Sequence, residues 1–102
     1  MKVKVKTIDV NCKEWFDKIN GNSYFAGSVT VNFGMKTQKS YNIPFQYGYG
    51  SQYEHEAGMV LNNNNVIKLD QYTMLWQYCK DNNIILRCNL KENCKKRDLM
   101  YY

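Results

Sequence analysis

Four cysteines and one histidine are the side chains of this 102-residue chain with the most versatile chemistry. Cys79, Cys88 and Cys94 lie in the C-terminal third, separated by eight and then five residues. Structural zinc sites usually draw on tighter pairs of the C-x-x-C type, and the sequence contains none. Cys79 and Cys88 also fall at apolar positions of a predicted helix and a predicted strand. We therefore expect ordinary thiols in place of a zinc site, and no cofactor.

The histidine, His55, is flanked by Glu54 and Glu56, a triplet that could support acid–base catalysis or metal binding. On a helix, however, adjacent side chains point about 100° apart, so the three groups do not converge on one site. Glu54 also stands three residues after Ser51, which is the spacing of a capping box at a helix start. The sequence has no nucleophile motif, and the Gly-Tyr-Gly turn at 48–50 is too short for a phosphate-binding loop. We predict that the protein is not an enzyme.

Tyrosines around this glycine turn and a basic C-terminal segment are better candidates for function. Tyr47, Tyr49 and Tyr53 cluster around flexible backbone, where their rings could stack on bases or anchor a protein interface. The alternative is that Tyr47 and Tyr53 complete the core and only Tyr49 is exposed. Cations in the C-terminal segment could contact phosphates. The candidate partner-binding residues are Tyr47, Tyr49, Tyr53, Arg87, Lys91, Lys95, Lys96 and Arg97.

Charge is distributed unevenly along the chain, which has a net charge of +5. The first six residues contain three lysines, and residues 80–102 contain six bases against three acids. Residues 41–79 contain one base against three acids. Basic ends of this kind attract nucleic acid, nucleotides, anionic lipid or an acidic protein surface. The alternative is that the positive charge only keeps a small protein soluble.

The N-terminus alternates lysine and valine and holds no apolar run long enough for a signal peptide or a membrane span. The chain is therefore expected to remain in a cytoplasm, without a membrane partner, where its thiols are reduced. Its length predicts one domain over residues 1–102. Twelve lysines against two arginines, with an asparagine run at 62–65, indicate an AT-rich bacterial or phage genome.

Hydrophobic periodicity predicts the elements that must position these residues. A period of two predicts strands at 2–10, 24–33, 38–47 and 84–90, with a last short strand at 99–102. A period near 3.6 predicts helices at 12–20, 52–61 and 70–80. Residues 66–69 fit either a short extended piece or a loop. The expected fold is α+β, with a mixed, mainly antiparallel sheet of four to five strands and two or three helices packed on one face.

Several side-chain positions follow from these elements. Strands 24–33 and 38–47 should form a hairpin that buries Val29, Val31, Ile43 and Phe45 together. In the first of these strands Phe33 is expected to face inward and Asn32 outward. The helix at 70–80 should begin with Asp70 as its cap and bury Tyr72, Leu75, Trp76 and Cys79 on one face.

The order of short helix, hairpin strands, glycine turn and helix resembles the double-stranded-RNA-binding domain. In that family a Gly-x-Gly-x-Ser turn opens the last helix, and Gly48, Gly50 and Ser51 stand in that place, one residue shorter. The family uses lysines at this helix start to grip phosphates. Residues 52–56 here are Gln-Tyr-Glu-His-Glu, and this difference in charge argues against duplex RNA as the partner.

The chain is also similar to the small orphan proteins of phages and mobile elements. The similarity lies in its size, its asparagine- and lysine-rich coding and the segment Phe-Gln-Tyr-Gly-Tyr-Gly at 45–50. That group includes anti-CRISPR proteins and other inhibitors of bacterial immunity. The resemblance implies an inhibitor that binds a host defence protein, or a protein–nucleic-acid complex, in the cytoplasm of a bacterial host. A nucleic-acid or nucleotide-binding module is the alternative, and the tyrosines could instead hold a homodimer.

Overall fold

A computed structural model describes residues 4–70 and 72–99 of the chain. Within that part, four strands and three helices follow one another as β1 (Thr7–Asp17), β2 (Asn22–Val31), β3 (Lys39–Tyr47), α1 (Gln52–Asn63), α2 (Leu75–Asp81), β4 (Ile85–Lys91) and α3 (Lys96–Leu99). The strands form one sheet in the order β3-β2-β1-β4, in which only β1 and β4 run parallel. The predicted α+β fold with a mainly antiparallel sheet is confirmed.

The helices α1 and α2 occupy one face of the sheet because they carry the chain from β3 at one edge to β4 at the other. A parallel strand cannot be reached by a tight turn and needs such a crossover. Below them lies a core to which β1, β2 and β3 contribute alternate apolar side chains. Its main members are Ile8, Val10, Cys12, Val29, Val31, Ile43, Tyr53, Ala57, Leu61, Leu75 and Cys79. Each fully buried aliphatic side chain contributes about 1.5–3 kcal/mol.

The helix predicted at 12–20 is wrong, because β1 continues to Asp17. Residues 8–17 pair without interruption with β2, and the two strands approach so closely that Gly27 has no room for a Cβ. The Asn20–Gly21 pair, interpreted as a helix end, instead forms a hairpin turn in which Gly21 takes a φ of 70°. The predicted strand at 2–10 starts later, at Thr7, and residues 1–3 lie outside the described residues.

A β-bulge in β3 makes the prediction for Phe45 wrong. Phe25 pairs with Gln46 and Gly27 pairs with Ile43, so two residues of β3 stand opposite Ala26 alone. The extra residue reverses the alternation beyond this point. Ile43 is buried as predicted, whereas Phe45 points to the opposite face of the sheet, where it stacks on Tyr24.

The predictions for Asn32 and Phe33 are also wrong, since Asn32 is 0% exposed and Phe33 is 64% exposed. β2 ends at Val31, and Asn32 takes a left-handed φ of 53°, which an asparagine tolerates better than most residues. Its side-chain oxygen accepts a hydrogen bond from the Lys6 amide at 2.7 Å, and its Nδ2 donates to the Lys4 carbonyl at 2.9 Å. Asn32 therefore holds the segment before β1 against the end of β2.

Helix α1 agrees with the prediction in position but not in its cap. Ser51 makes no side-chain capping bond, because its ψ of 9° is far from the extended backbone that aims a capping hydroxyl at the first amides. Its carbonyl accepts the hydrogen bond from the Glu54 amide instead. Tyr53, Ala57 and Leu61 are buried in the core against the sheet.

Helix α2 begins at Leu75, five residues later than predicted. The Asp70 carboxylate does not cap it, because that group accepts hydrogen bonds from the Tyr72 amide and the Thr73 hydroxyl in a local turn, which also lowers the pKa of Asp70. Leu75 and Cys79 are buried as predicted. Tyr72 and Trp76, expected beside them, are largely exposed.

The remaining segments complete the frame around the sheet. Residues 66–69 form a loop whose Ile67 reaches the core. The late strand is confirmed as β4, with its even-numbered residues packed toward the core. Leu99, predicted to start a last strand, belongs to α3, and residues 100–102 lie outside the described residues. None of the described helices has the length and apolar character needed to cross a membrane.

We expect Asn32→Ala to lower the free energy of unfolding by about 2–4 kcal/mol, because buried backbone groups lose their partners and alanine fits the left-handed region poorly. Urea denaturation measures this change. Asn32→Gly is the control, since glycine accepts the backbone conformation but cannot replace the amide. A glycine variant as stable as the wild type would mean that the side-chain hydrogen bonds contribute nothing.

Candidate functional site

The sheet face opposite α1 and α2, called the far face here, carries a row of aromatic rings across three strands. Trp15 of β1 and Tyr24 of β2 are register partners, and their ring centroids lie 5.4 Å apart. Tyr24 stacks in turn on Phe45 of β3, with centroids 5.2 Å apart and planes within 6°. Neighbouring strands lie about 4.8 Å apart, so rings that stand upright on them meet at stacking distance. The three rings therefore form a continuous stack across β1, β2 and β3.

Tyr47 and Tyr49 extend this stack to form what we call the aromatic row, whose members are Trp15, Tyr24, Phe45, Tyr47 and Tyr49. The edge of Tyr47 meets Tyr24 at 5.8 Å, and Tyr49 meets Tyr47 at 5.2 Å. The Tyr47 hydroxyl donates a hydrogen bond of 2.9 Å to the Tyr49 hydroxyl, and this bond raises the pKa of Tyr47. Both tyrosines are 50% exposed, so this end of the row can meet a partner.

Tyr53 is separated from the other two candidate tyrosines by the thickness of the sheet. It lies on α1, is 8% exposed and belongs to the core. Burial, followed by the nearby Glu54, raises the pKa of Tyr53 to about 12. Of the three tyrosines around the glycine turn, Tyr47 and Tyr49 are therefore accessible and Tyr53 is structural.

The short helix α3 brings the basic C-terminal segment onto the far face. The Lys96 ammonium lies 5.6 Å from the centroid of the Trp15 ring. Leu99 of α3 and Ala26 of β2 are fully buried, although neither belongs to the core under α1 and α2. α3 contacts β1 and β2 and places its cations beside the Trp15 end of the aromatic row. The cations on or next to α3 are Lys95, Lys96 and Arg97.

The start of α3 is held by Asp98, whose carboxylate accepts a hydrogen bond of 2.9 Å from the Lys95 amide. That bond, with the charges of Lys13, Arg97 and Lys95, lowers the pKa of Asp98. Cys94 precedes the start of α3, and its amide donates to the Glu14 carbonyl at 2.9 Å. This hydrogen bond ties the basic C-terminal segment to β1. The position of the basic segment is therefore fixed by backbone bonds at its start.

A pocket of about 460 Å³ lies between α3 and the turn after β1. Trp15, Phe16 and Ile19 supply its apolar lining, and Ile19 is 94% exposed. Its cations are Lys18, Lys95 and Lys96, with Asp17 as an acidic neighbour. The pocket therefore combines an aromatic wall with positive charge, which suits a ligand that is both planar or apolar and anionic.

Arg87 and Lys91, the remaining candidates, lie on β4 at the other side of the far face. Arg87 forms a bidentate ion pair with Asp9, its register partner on β1, with distances of 2.6 and 3.0 Å. This pairing raises the pKa of Arg87, so its guanidinium remains charged. Lys91 is exposed at the end of the strand, next to Lys13. The candidates thus share one face, with the exception of Tyr53.

Three of the four thiols, those of Cys12, Cys79 and Cys88, do not offer nucleophilic chemistry. Burial raises the pKa of Cys12 and Cys88 to about 12 and that of Cys79 to about 11, so all three remain protonated at neutral pH. His55, by contrast, is exposed to solvent on α1. Among the described residues, no group of three or more histidine, cysteine or acidic side chains could hold a metal ion.

Sequence reasoning missed the inner part of the aromatic row, namely Trp15, Tyr24 and Phe45. A partial signal for the first pair was present, because an asparagine–glycine pair such as Asn20–Gly21 is a strong hairpin signal. The strands are joined by the four-residue turn 18–21, and only this turn length places Trp15 opposite Tyr24, since a two-residue turn at Asn20–Gly21 would place Trp15 opposite Ala26. No comparable signal marks Phe45, because its position depends on the bulge.

No protein-family model matches the chain, and neither the curated proteins nor the solved structures include a significant match to it.

We expect Cys12, Cys79 and Cys88 to react with iodoacetamide at least about a hundredfold more slowly in the folded protein than in urea, because burial suppresses their thiolates. Peptide mass spectrometry after timed alkylation measures the rate at each cysteine. Rapid modification of any of the three in the folded state would contradict this assignment.

Proposed function

We propose that the protein is a small non-enzymatic binding protein that inhibits a bacterial defence system by stoichiometric binding to one of its proteins. The observation that supports this proposal is the continuity of the aromatic row, which leads from the exposed Tyr47 and Tyr49 to Trp15 and the cations of α3. Tyrosine, tryptophan and arginine are the residues that most often dominate binding energy at protein interfaces. The bacterial defence target comes from the likeness to phage proteins in size and composition.

The arrangement of the rings favours a protein partner over a single-stranded nucleic acid. Bases bind aromatic side chains by stacking on an unoccupied ring face. Tyr24 lies between Trp15 and Phe45 at stacking distance, so both of its faces are occupied. The half-exposed Tyr47 and Tyr49 instead offer hydroxyl groups, which suit contacts with backbone and side chains of a protein.

The charge of the surface indicates an acidic patch on the partner. Lys95, Lys96 and Arg97 are exposed beside the row, and the whole chain has a net charge of +5. Complementary charge accelerates the encounter of two proteins and excludes wrong partners more than it raises affinity. In this proposal the row supplies the affinity and the basic segment supplies orientation.

A nucleic-acid or nucleotide ligand is the second candidate, supported by the pocket beside Trp15. There Lys18, Lys95 and Lys96 surround an aromatic and apolar wall. Cations of this kind contact phosphates, and the wall could receive a base.

We expect Tyr49→Ala to weaken partner binding by about 1–2 kcal/mol while leaving the melting temperature nearly unchanged, because Tyr49 is half exposed and lies between two glycines. The partner is captured from nuclease-treated lysate of a defence-competent bacterium, and its affinity is then measured with purified proteins. Tyr72→Ala is the matched control, since Tyr72 is 85% exposed but lies outside the far face. Equal affinities for both variants would exclude the row as the binding surface.

Charge reversal separates the two candidate ligands. The triple variant Lys95→Glu, Lys96→Glu and Arg97→Glu is compared with a variant of equal net charge, Lys36→Glu, Lys68→Glu and Lys80→Glu. For a protein partner, the first variant should mainly slow association. For a nucleic acid, it should reduce the salt dependence of the affinity, because fewer counterions are released. Partner capture that disappears after nuclease treatment would favour the nucleic acid.

Inhibition itself is tested by phage plating on bacteria that carry an active defence system. The wild-type protein should restore plaque formation, and Tyr49→Ala should restore it less well at equal expression. Absence of any rescue across the major defence systems would contradict the proposed function.

A further inference from the structure

Among residues 4–70 and 72–99, strand β4 forms an edge of the sheet and pairs with β1 on one side only. The Ile85 amide donates to the Lys6 carbonyl at 3.0 Å, which fixes the direction of the backbone groups along the strand. Because these groups alternate, Ile85, Arg87 and Asn89 turn their N–H and C=O groups toward β1. Leu86, Cys88 and Leu90 consequently turn theirs outward. The outer edge therefore presents a regular series of backbone donors and acceptors.

The two edges of the sheet differ in their protection against strand pairing. The outer strand β3 contains Pro44 and a bulge, both of which oppose the addition of another strand. β4 contains no proline and pairs with β1 in unbroken register over its whole length. Its Leu86, Cys88 and Leu90 are only half buried at this edge, and Ile85 is 60% exposed. The edge thus offers both hydrogen-bonding groups and incompletely covered apolar side chains.

We infer that β4 binds β4 of a second copy of this chain in antiparallel orientation, with the two-fold axis at Cys88, so that the two sheets become one. In this register Leu86 faces Leu90 of the second copy and Cys88 faces its own equivalent. Residues directly opposite in antiparallel strands exchange both hydrogen bonds when their backbone groups face each other. Every outward N–H and C=O group of these three residues then has a partner, and the apolar core continues across the interface.

The charges on the far face select this register over its neighbours. With the axis at Cys88, Arg87 faces Asn89 of the second copy, and Ile85 faces Lys91. Moving the axis to residue 87 places Arg87 opposite Arg87, and moving it to residue 89 places Arg87 opposite Lys91. Like charges directly opposite each other destabilise a strand pair. The axis at Cys88 avoids both of these contacts, and it pairs all seven residues of β4, whereas an axis at residue 87 or 89 pairs only five of them. The resulting two-fold interface is closed.

This pairing has a consequence for binding. Opposite residues in paired strands share a face of the sheet, so the far faces of the two copies lie on the same side. The dimer would present two aromatic rows to one partner assembly, which raises avidity without any new contact at either row. The inference about β4 does not depend on the identity of that partner.

Two substitutions of Asn89, which introduce charges of opposite sign, test the register in the full-length protein. Asn89→Lys places a like charge opposite Arg87 twice in each dimer, and we expect the dimer dissociation constant to rise about tenfold or more. Asn89→Asp places an attractive charge in the same position and should lower the constant several-fold. Sedimentation equilibrium and native mass spectrometry measure the dimer, and circular dichroism checks that both variants are folded.

Asn42→Lys and Asn42→Asp are the matched controls, because Asn42 is an exposed residue on β3 at the opposite edge of the sheet. They change the net charge equally and should leave the dissociation constant within about twofold of the wild type, apart from screened long-range repulsion. A monomer at submillimolar concentration would overturn the inference. So would a dimer that responds equally at residues 89 and 42, since it would be formed by another surface such as the exposed tyrosines.

Discussion

The long antiparallel pairing of β1 with β2 is the interaction on which both faces of this molecule depend. Its unbroken register from Ile8–Val31 to Asp17–Asn22 directs Ile8, Val10 and Cys12 toward the helices and Trp15 toward the far face. The pairing is close enough that a Cβ at Gly27 would lie 2.1 Å from the Asn11 carbonyl oxygen. A slip of one residue would exchange the two faces, so the core and the aromatic row are fixed by the same set of hydrogen bonds.

Each face of the sheet is then completed by a different part of the chain. The crossover helices α1 and α2 cover one face and close the main core, with Tyr53, Ala57 and Leu61 against the strands. Among the described helices only the short α3 lies on the far face, where its Leu99 is buried while the rings of the aromatic row remain partly exposed. An incompletely covered face that is rich in aromatic side chains is typical of a surface that binds a partner. This asymmetry is the physical basis of the proposed function.

The sequence predicted the parts of the fold whose patterns are local. The alternation of apolar and polar residues predicted the β2–β3 hairpin and β4, and the 3.6-residue apolar period predicted α1. Exposed Tyr49 and the basic segment were also identified as candidates, because glycine-flanked aromatics and clustered cations are visible in the sequence. The pattern at Trp15 and Phe16 led to the wrong prediction of a helix at 12–20. Two adjacent apolar residues fit a short helix as well as a strand whose two faces are both apolar.

What the sequence determined by itself was therefore the set of elements with one polar and one apolar face, together with the chemistry of the side chains. The tertiary structure decided where these elements face each other. The bulge opposite Ala26 moves Phe45 into the aromatic row, and the fold of the C-terminal segment places Lys96 over Trp15. Both depend on contacts between residues far apart in the chain, and such contacts leave no period in the sequence of either partner.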